Sequence, residues 1–223
     1  MSDDGIMYLD WYPPNYNDLP TGTPIVAFIL GSFGTNQEPY AKEFAIKVRQ
    51  KGWRFVILNR RGFDFRELHN KNFAHKNEGQ DFFEAISCIK EIYESPIYLA
   101  GVSAGANIAS KFVGVYSEKK LIDALVSISN PFNFAKVSFN LKQHLIGKMI
   151  SKFLTIGWQN LYDYHKDNPK FLQNFLEKGL TKNQIEQNIK KIHHVWKFDK
   201  EFTLQASGHD HILEYYHDIS CEQ

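Results

Sequence analysis

Cysteine is scarce. Cys88 and Cys221 are the only two in 223 residues, which excludes a disulfide scaffold and a cysteine-rich zinc module. A charge surplus is missing as well. Lys and Arg number 26 against 25 Asp and Glu, for a formal charge of +1. A general nucleic-acid binder needs a positive excess to displace counterions from phosphates, so no nucleic-acid partner is expected. No stretch approaches the roughly 20 apolar residues of a bilayer span, so no transmembrane segment is expected. The opening MSDDGIMYLDW is acidic and has neither the basic start nor the apolar run of a signal peptide. A cytoplasmic, soluble chain is therefore the default expectation, provided that Met1 is the true start. Internal repeats and low-complexity tracts are absent. So are G-x-G-x-x-G, G-x-x-x-x-G-K-[ST] and H-E-x-x-H, and neither a cofactor nor a metal is expected.

What remains is an ordinary globular composition, 43% hydrophobic and 23% charged. The mass of 25.9 kDa fits one domain, with at most a small appendage. Aromatic residues are plentiful, at 15%.

The hydrophobic pattern alternates strands with helices over the first 130 residues. Met7 to Trp11 reads as a short strand stopped by Pro13 and Pro14. Ile25 to Leu30 is an apolar run of buried-strand length, followed by the loop Gly31-Ser32-Phe33-Gly34. Helical spacing covers Tyr40 to Lys51, closed by Gly52. Further strands are expected over residues 53–58, 97–102 and 124–128, with helices at Gln80–Tyr93 and Ala104–Phe112. Such alternation implies an α/β architecture: a mostly parallel sheet with helices on both faces. From Phe139 to about Lys191 only helical patterns appear, punctuated by Gly157, Pro169 and Gly179, as expected of an inserted helical subdomain.

The sharpest chemical signal is Gly101-Val102-Ser103-Ala104-Gly105, a G-x-S-x-G. It follows the apolar strand PIYLAGV and opens the helix ANIASKF, the setting of a nucleophile elbow. Side chains at Gly101 and Gly105 would collide with the adjoining strand and helix, so glycine there permits a strained turn that lifts the Ser103 hydroxyl clear. Backbone N–H groups supply the oxyanion hole of such a site. The expected donors are those of Ser32 and Ala104, each typically worth about 2.7–4 kcal/mol in the transition state. The competing reading is a tight strand–helix turn with an incidental serine.

These features together resemble an α/β hydrolase, and more narrowly its YheT-like branch of embryogenesis-associated and abhydrolase relatives. The stretches that carry the likeness are DGIMYLDWYPP from Asp4, Asn59-Arg60-Arg61-Gly62, GVSAGANI from Gly101, SNPFNF from Ser129, WKFDKEFT from Trp196 and EYYHDIS from Glu214. Three positions depart from the branch: Leu30 stands for a proline, Ala106 for a glycine and Asn133 for an aspartate. The first two are close to the catalytic centre and are expected to narrow it. The resemblance implies a serine esterase or lipase-like acyltransferase acting on lipid-like esters, with Ser103 as nucleophile. Relatives of this branch often carry a membrane anchor, so the resemblance also implies membrane association. It divides the chain into a core over residues 1–135, a helical lid over 136–200 and a return segment over 201–223.

In this fold the triad runs in the order Ser, Asp or Glu, His. The branch places its acid and histidine after the lid, beyond Gln223, so a truncated chain whose last core strands are missing is expected. The alternative is a catalytically inactive protein that binds a lipid or a partner; a third reading is an interaction module with a chance motif. His209 and His211 mimic a G-H loop, but the resemblance puts them in a lid-to-core connection and makes His209 a poor candidate base. His193-His194 is expected to be solvated or packed in the lid. Arg60 and Arg61 could meet an acidic ligand; the plainer expectation is one exposed charge and one loop-fixing donor. Asp81 is expected to cap a helix or anchor a loop, not to serve as the triad acid. The oligomeric state is unspecified.

Overall fold

The computed structural model describes residues 1–73 and 78–222. They form two compact units. One comprises Met1, Met7–Arg60 and Asn77–Phe132; the other comprises Ser2–Ile6, Arg61–Lys76 and Asn133–Gln223.

The first unit is built on a five-stranded sheet. Its strands are β1 (Leu9–Tyr12), β2 (Ile25–Ile29), β3 (Arg54–Leu58), β4 (Ile97–Val102) and β5 (Ala124–Ile128). They lie in the order β1-β3-β2-β4-β5, and only β1 runs antiparallel to its neighbour. The four longer strands fall where the apolar runs place them. Every residue of β2 and β3 is buried, as expected of parallel strands covered on both faces. Helix α1 (Pro39–Gln50) joins β2 to β3, α2 (Glu78–Tyr93) lies between β3 and β4, and α3 (Ala104–Tyr116) joins β4 to β5.

Side chains alternate across a strand, so each face has its own core. Ile25, Ala27 and Ile29 pack with Phe82, Ile86 and Ile89 of α2 and with Ala109 and Phe112 of α3. Val26, Phe28 and Leu30 pack with Ala41, Ala45 and Val48 of α1. The chain therefore leaves β2 on one face and β4 on the other. Between those two neighbours the connections diverge, and in open α/β sheets such a switch point leaves a crevice at the strands' C-terminal ends. At the other end of the sheet Arg54, 1% exposed, points its guanidinium at the carbonyls of Tyr16, Leu19, Pro20 and Thr23 and lies 4.7 Å from the Tyr93 ring centroid. It fixes the loop that leads into β2.

The second unit is helical. It contains α4 (Phe134–Gln143), α5 (Leu145–His165), α6 (Pro169–Leu176), α7 (Lys182–Lys190), α8 (Val195–Phe198), α9 (Leu204–Ser207) and α10 (Ile212–Ile219), with a π-helical turn over Asp199–Thr203. Asn133 caps α4 by accepting from the Lys136 N–H at 2.8 Å. Gly157 does not punctuate a helix as its residue type suggests. It lies inside α5, and the break falls at His144, whose backbone is extended. An interior glycine costs only about 1 kcal/mol, and burial of Trp158, Leu161 and Tyr162 on the same helix outweighs it.

Aromatic rings fill this unit. Trp158 stacks on Phe198 at 5.1 Å, Phe175 on Phe202 at 4.3 Å, and Phe171 on His165 at 5.0 Å. Polar groups are buried among them. Burial holds the His165 imidazole below its usual range, with Nε2 2.6 Å from the Gly62 carbonyl. Burial likewise raises the Asp199 carboxyl to about 6, although Tyr216 and Thr203 donate to it at 2.8 and 3.1 Å. Ser138 bonds the same Tyr216 hydroxyl at 3.2 Å, joining α4 to α10. The Tyr162 hydroxyl is buried with no hydrogen-bond partner among the described residues, and burial pushes its pKa up to about 12.

An unfolded aspartate titrates near pH 4. The raised Asp199 value therefore favours the native state fully below about pH 4 and loses that contribution as pH rises through about 6. Asp199→Asn keeps an acceptor and removes the charge. Its stability advantage over wild type should grow from near zero at about pH 4 to about 3 kcal/mol at about pH 7. Denaturant titrations across that range test it, and an advantage independent of pH would contradict the assignment. His165 acts with the opposite sign, losing stability as pH falls below about 6.5, and cancels in the difference. Tyr162→Phe removes an unsatisfied hydroxyl and should stabilise by about 1 kcal/mol in the same assay.

Candidate active site

The elbow is built from backbone contacts. Ser103 follows β4, and its N–H donates to the Ile128 carbonyl at 2.9 Å, extending the β4–β5 pairing by one bond. Its own carbonyl then accepts from the Ala106 and Asn107 N–H groups at 3.0 and 3.2 Å, which starts α3 at once. To turn from strand to helix without a linker, Ser103 takes φ 55° and ψ −123°. That is glycine territory, and a side chain there costs on the order of 1–3 kcal/mol.

The flanking glycines permit the turn sterically. A Cβ on Gly101 would lie 2.3 Å from the Gly105 oxygen and 2.7 Å from the Ala106 nitrogen. A Cβ on Gly105 would lie 2.3 Å from the Ile29 oxygen and 2.4 Å from that of Leu30. The first turn of α3 thus rests on bare backbone of β2 and β4. Ser103 is solvent-exposed, and its Oγ has no hydrogen-bond partner among the described residues.

The loop after β2 reaches the same place. A Cβ on Gly31 would sit 3.3 Å from the Ser103 Cβ and 4.0 Å from its Oγ. Residues 31–34 form a turn closed by Gly34 N–H to Gly31 O at 3.1 Å, with Phe33 at φ 59°. The Tyr40 hydroxyl hydrogen-bonds the Gly31 backbone, and burial raises its pKa. Among the described residues neither the Ser32 N–H nor the Ala104 N–H donates to a backbone acceptor.

Residues not singled out from the sequence brace this corner. Asn107 is wholly buried and donates to the Pro131 carbonyl at 3.1 Å. Asn130 donates to Ser110 Oγ at 3.0 Å and Ser127 Oγ at 2.9 Å. Both hold the turn after β5 against α3. Their sequence signal is weak, since an Asn beside a motif or a proline ordinarily marks a turn. Leu30 packs into the α1-side core, and Ala106 is fully buried.

The other candidates have partners of their own. Arg60 and Arg61 correct the expectation of one exposed charge. Both are buried, Arg60 paired with Glu78 and Arg61 with Asp3 at 2.6 Å. Asp81 lies inside the first turn of α2, 4% exposed, where the helix dipole favours a carboxylate. In the second unit His209 places Nδ1 3.1 Å from Ser207 Oγ and Nε2 3.3 Å from the Asp218 carboxylate. His211 precedes α10 and is exposed, as are His193 and His194.

No family model matches the chain. Among curated proteins it is 25% identical to Embryogenesis-associated protein EMB8 of Picea glauca over 229 residues, covering 99% of this chain and 48% of that protein. It is 26% identical to Phospholipase ABHD3 of Bos taurus, covering 98% of this chain and 52% of that protein. Among solved structures, alpha/beta hydrolase domain-containing protein 10 from mouse superposes with a TM-score of 0.46 at 16% identity, covering 66% of this chain and 53% of that one. These curated likenesses indicate a member of the α/β hydrolase superfamily. It spans about half the length of these curated relatives.

Strain at Ser103 and crowding at Gly105 have opposite consequences for stability. Ser103→Gly should stabilise by about 1 kcal/mol, by relieving the positive φ. Gly105→Ala should destabilise by about 3 kcal/mol or more, because strand backbone must move. Urea unfolding of both variants tests this; a neutral Gly105→Ala would mean that the α3–β2 contact yields without cost.

Proposed function

We propose that this chain carries the nucleophile and oxyanion hole of a serine hydrolase or acyltransferase acting on carboxylic, lipid-like esters. The observation that carries the reading is Ser103: exposed, held at φ 55° beyond β4, with Gly31 of the neighbouring strand's loop beside it. A residue held at such cost at a switch point is the usual mark of function. In this reading the Ser103 Oγ attacks the ester carbonyl. The oxygen of the tetrahedral intermediate takes its charge between the N–H groups of Ser32 and Ala104, both uncommitted to backbone acceptors. The likeness to a phospholipase supports the ester class.

A serine hydroxyl needs a base to accept its proton. The Ser103 hydroxyl has no such partner among the described residues, and the proposal assigns the triad acid and histidine to sequence beyond Gln223. The division into a core over residues 1–135, a lid over 136–200 and a return segment over 201–223 is part of the same proposal. The unpartnered hydroxyl also favours the second reading for the 223-residue chain on its own, a protein that binds lipid or a partner without turnover.

Labelling with a fluorophosphonate probe tests both. The 223-residue chain should label weakly or not at all. A chain continued in frame through an acid and a Gly-His segment should label strongly, and Ser103→Ala should abolish that signal. Rapid Ser103-dependent labelling of the short chain would place a base inside it, and His209 and His211 would be the first residues to replace.

A further inference from the structure

The loop that carries the Ser32 N–H is held at both ends, by different elements. At its head the Tyr40 hydroxyl of α1 bonds the Gly31 backbone. At its tail the Asn36 side chain reaches the sheet, where its Nδ2 donates to Asp10 Oδ2 at 3.0 Å. The same Asp10 oxygen accepts from Asn59 Nδ2 at 2.9 Å. Asp10 lies in β1 opposite Ile57, and Asn59 follows β3. One carboxylate oxygen thus ties together the outer strand, the end of β3 and the loop after β2.

The acid fixes the direction of both bonds. A carboxylate only accepts, so each facing amide must present its nitrogen. This suits Asn36, whose Oδ1 accepts from Gln37 Nε2 at 2.8 Å. It does not suit Asn59. That residue is 3% exposed, and its Oδ1 is buried with no hydrogen-bond partner among the described residues. A buried acceptor without a donor loses its hydration and regains nothing. Turning the Asn59 amide over would aim its oxygen at the carboxylate, which has no proton to give. Stability is therefore given up at Asn59 to keep the acid in place. Pairing of β1 with β3 does not require it, since the backbones pair over Leu9–Tyr12 and the Asn59 N–H donates to the Tyr8 carbonyl at 3.1 Å. What the side chains add is the reach to Asn36.

The loop needs such a hold. Phe33 sits at φ 59°, a conformation that a residue other than glycine keeps only where its surroundings impose it. Bonds within the loop, from Gly34 N–H to the Gly31 carbonyl and from Gln37 N–H to Thr35 Oγ1, shape it without attaching it to the sheet.

We infer that Asp10 is a positioning residue for the site at Ser103: acting through Asn36, it fixes the loop whose Ser32 N–H serves the oxyanion. The inference rests on the reading of Ser103 given above.

Three variants test it. Asp10→Leu removes the shared acceptor. Asn36→Asp sets two carboxylates against each other, which repel. Asn36→Asp combined with Asp10→Asn reverses the bonds: the new amide at position 10 gives its two hydrogens to the new carboxylate at position 36 and, once the Asn59 amide turns over, to the Asn59 Oδ1. In amide hydrogen exchange of the 223-residue chain, the peptide over residues 31–37 should exchange at least about tenfold faster in each single variant, with β3 and β4 still protected. The double variant should restore it to within about twofold of wild type. In the chain continued in frame, the maximal rate of fluorophosphonate labelling should fall about tenfold or more in each single variant, as displaced catalytic groups require. The half-saturating probe concentration should stay unchanged, and the double variant should recover the rate. A merely structural Asp10 would lower the urea midpoint and leave the labelling rate of folded protein as it was. Should Asp10→Leu not fold, Asn36→Asp on the half-buried loop and its rescue decide the matter. Unchanged loop exchange in the single variants, a double variant that restores neither readout, or wild-type labelling by Asp10→Leu overturns the inference. A wild-type continued chain that does not label would instead overturn the reading of Ser103, and the exchange result would still decide whether Asp10 holds the loop.

Discussion

The close approach of one helix start to two strands governs the sheet unit. Gly101 and Gly105 face each other across the elbow, and Gly105 rests on the carbonyls of Ile29 and Leu30. No side chain fits in that gap. Because the gap is closed, α3 begins with no linker after β4, and Ser103 is forced into a positive-φ turn. The strain at Ser103 and the tightness at Gly105 are therefore two sides of one contact. Stability given up at the serine is recovered in the packing of Ala109 and Phe112 against the sheet.

Topology then selects which loops meet. The sheet order brings β2 beside β4 although they are distant in sequence, and the register sets Ile29 opposite Gly101. Their connections leave on opposite faces, α1 on one and α3 on the other. The loop at Gly31 and the turn at Ser103 are what remain between them. A crevice at this position follows from sheet order alone, before any residue is assigned a role.

The helical unit is built on different terms. Its interior is a set of stacked rings with a few polar groups enclosed, among them His165, Asp199 and the Tyr162 hydroxyl. Desolvation shifts each of their proton affinities towards the neutral form. The abundance of Phe and Tyr is plain in the composition. Which rings stack on one another within this unit is not.

Local elements are legible in the residues alone. Apolar runs bounded by Gly and Pro place β2 to β5 within a residue or so, because burial on both faces leaves a continuous hydrophobic stretch. The G-x-S-x-G between a strand and a helix marks the turn at Ser103; Gly101 clears the backbone of Gly105 and Ala106 within the turn itself, whereas the carbonyls that Gly105 clears, those of Ile29 and Leu30, are supplied by the sheet. Helical ends are less legible. Gly157 looks like a stop and is not one, since a propensity of about 1 kcal/mol yields to packing that the fold supplies. Arg60, Arg61 and Asp81 look like surface or capping groups. They are buried because Glu78, Asp3 and the first turn of α2 lie beside them. Those partners and the meeting of Gly31 with Ser103 come only from the packed chain. Each depends on residues far apart in sequence that the sheet order or the helical packing brings together.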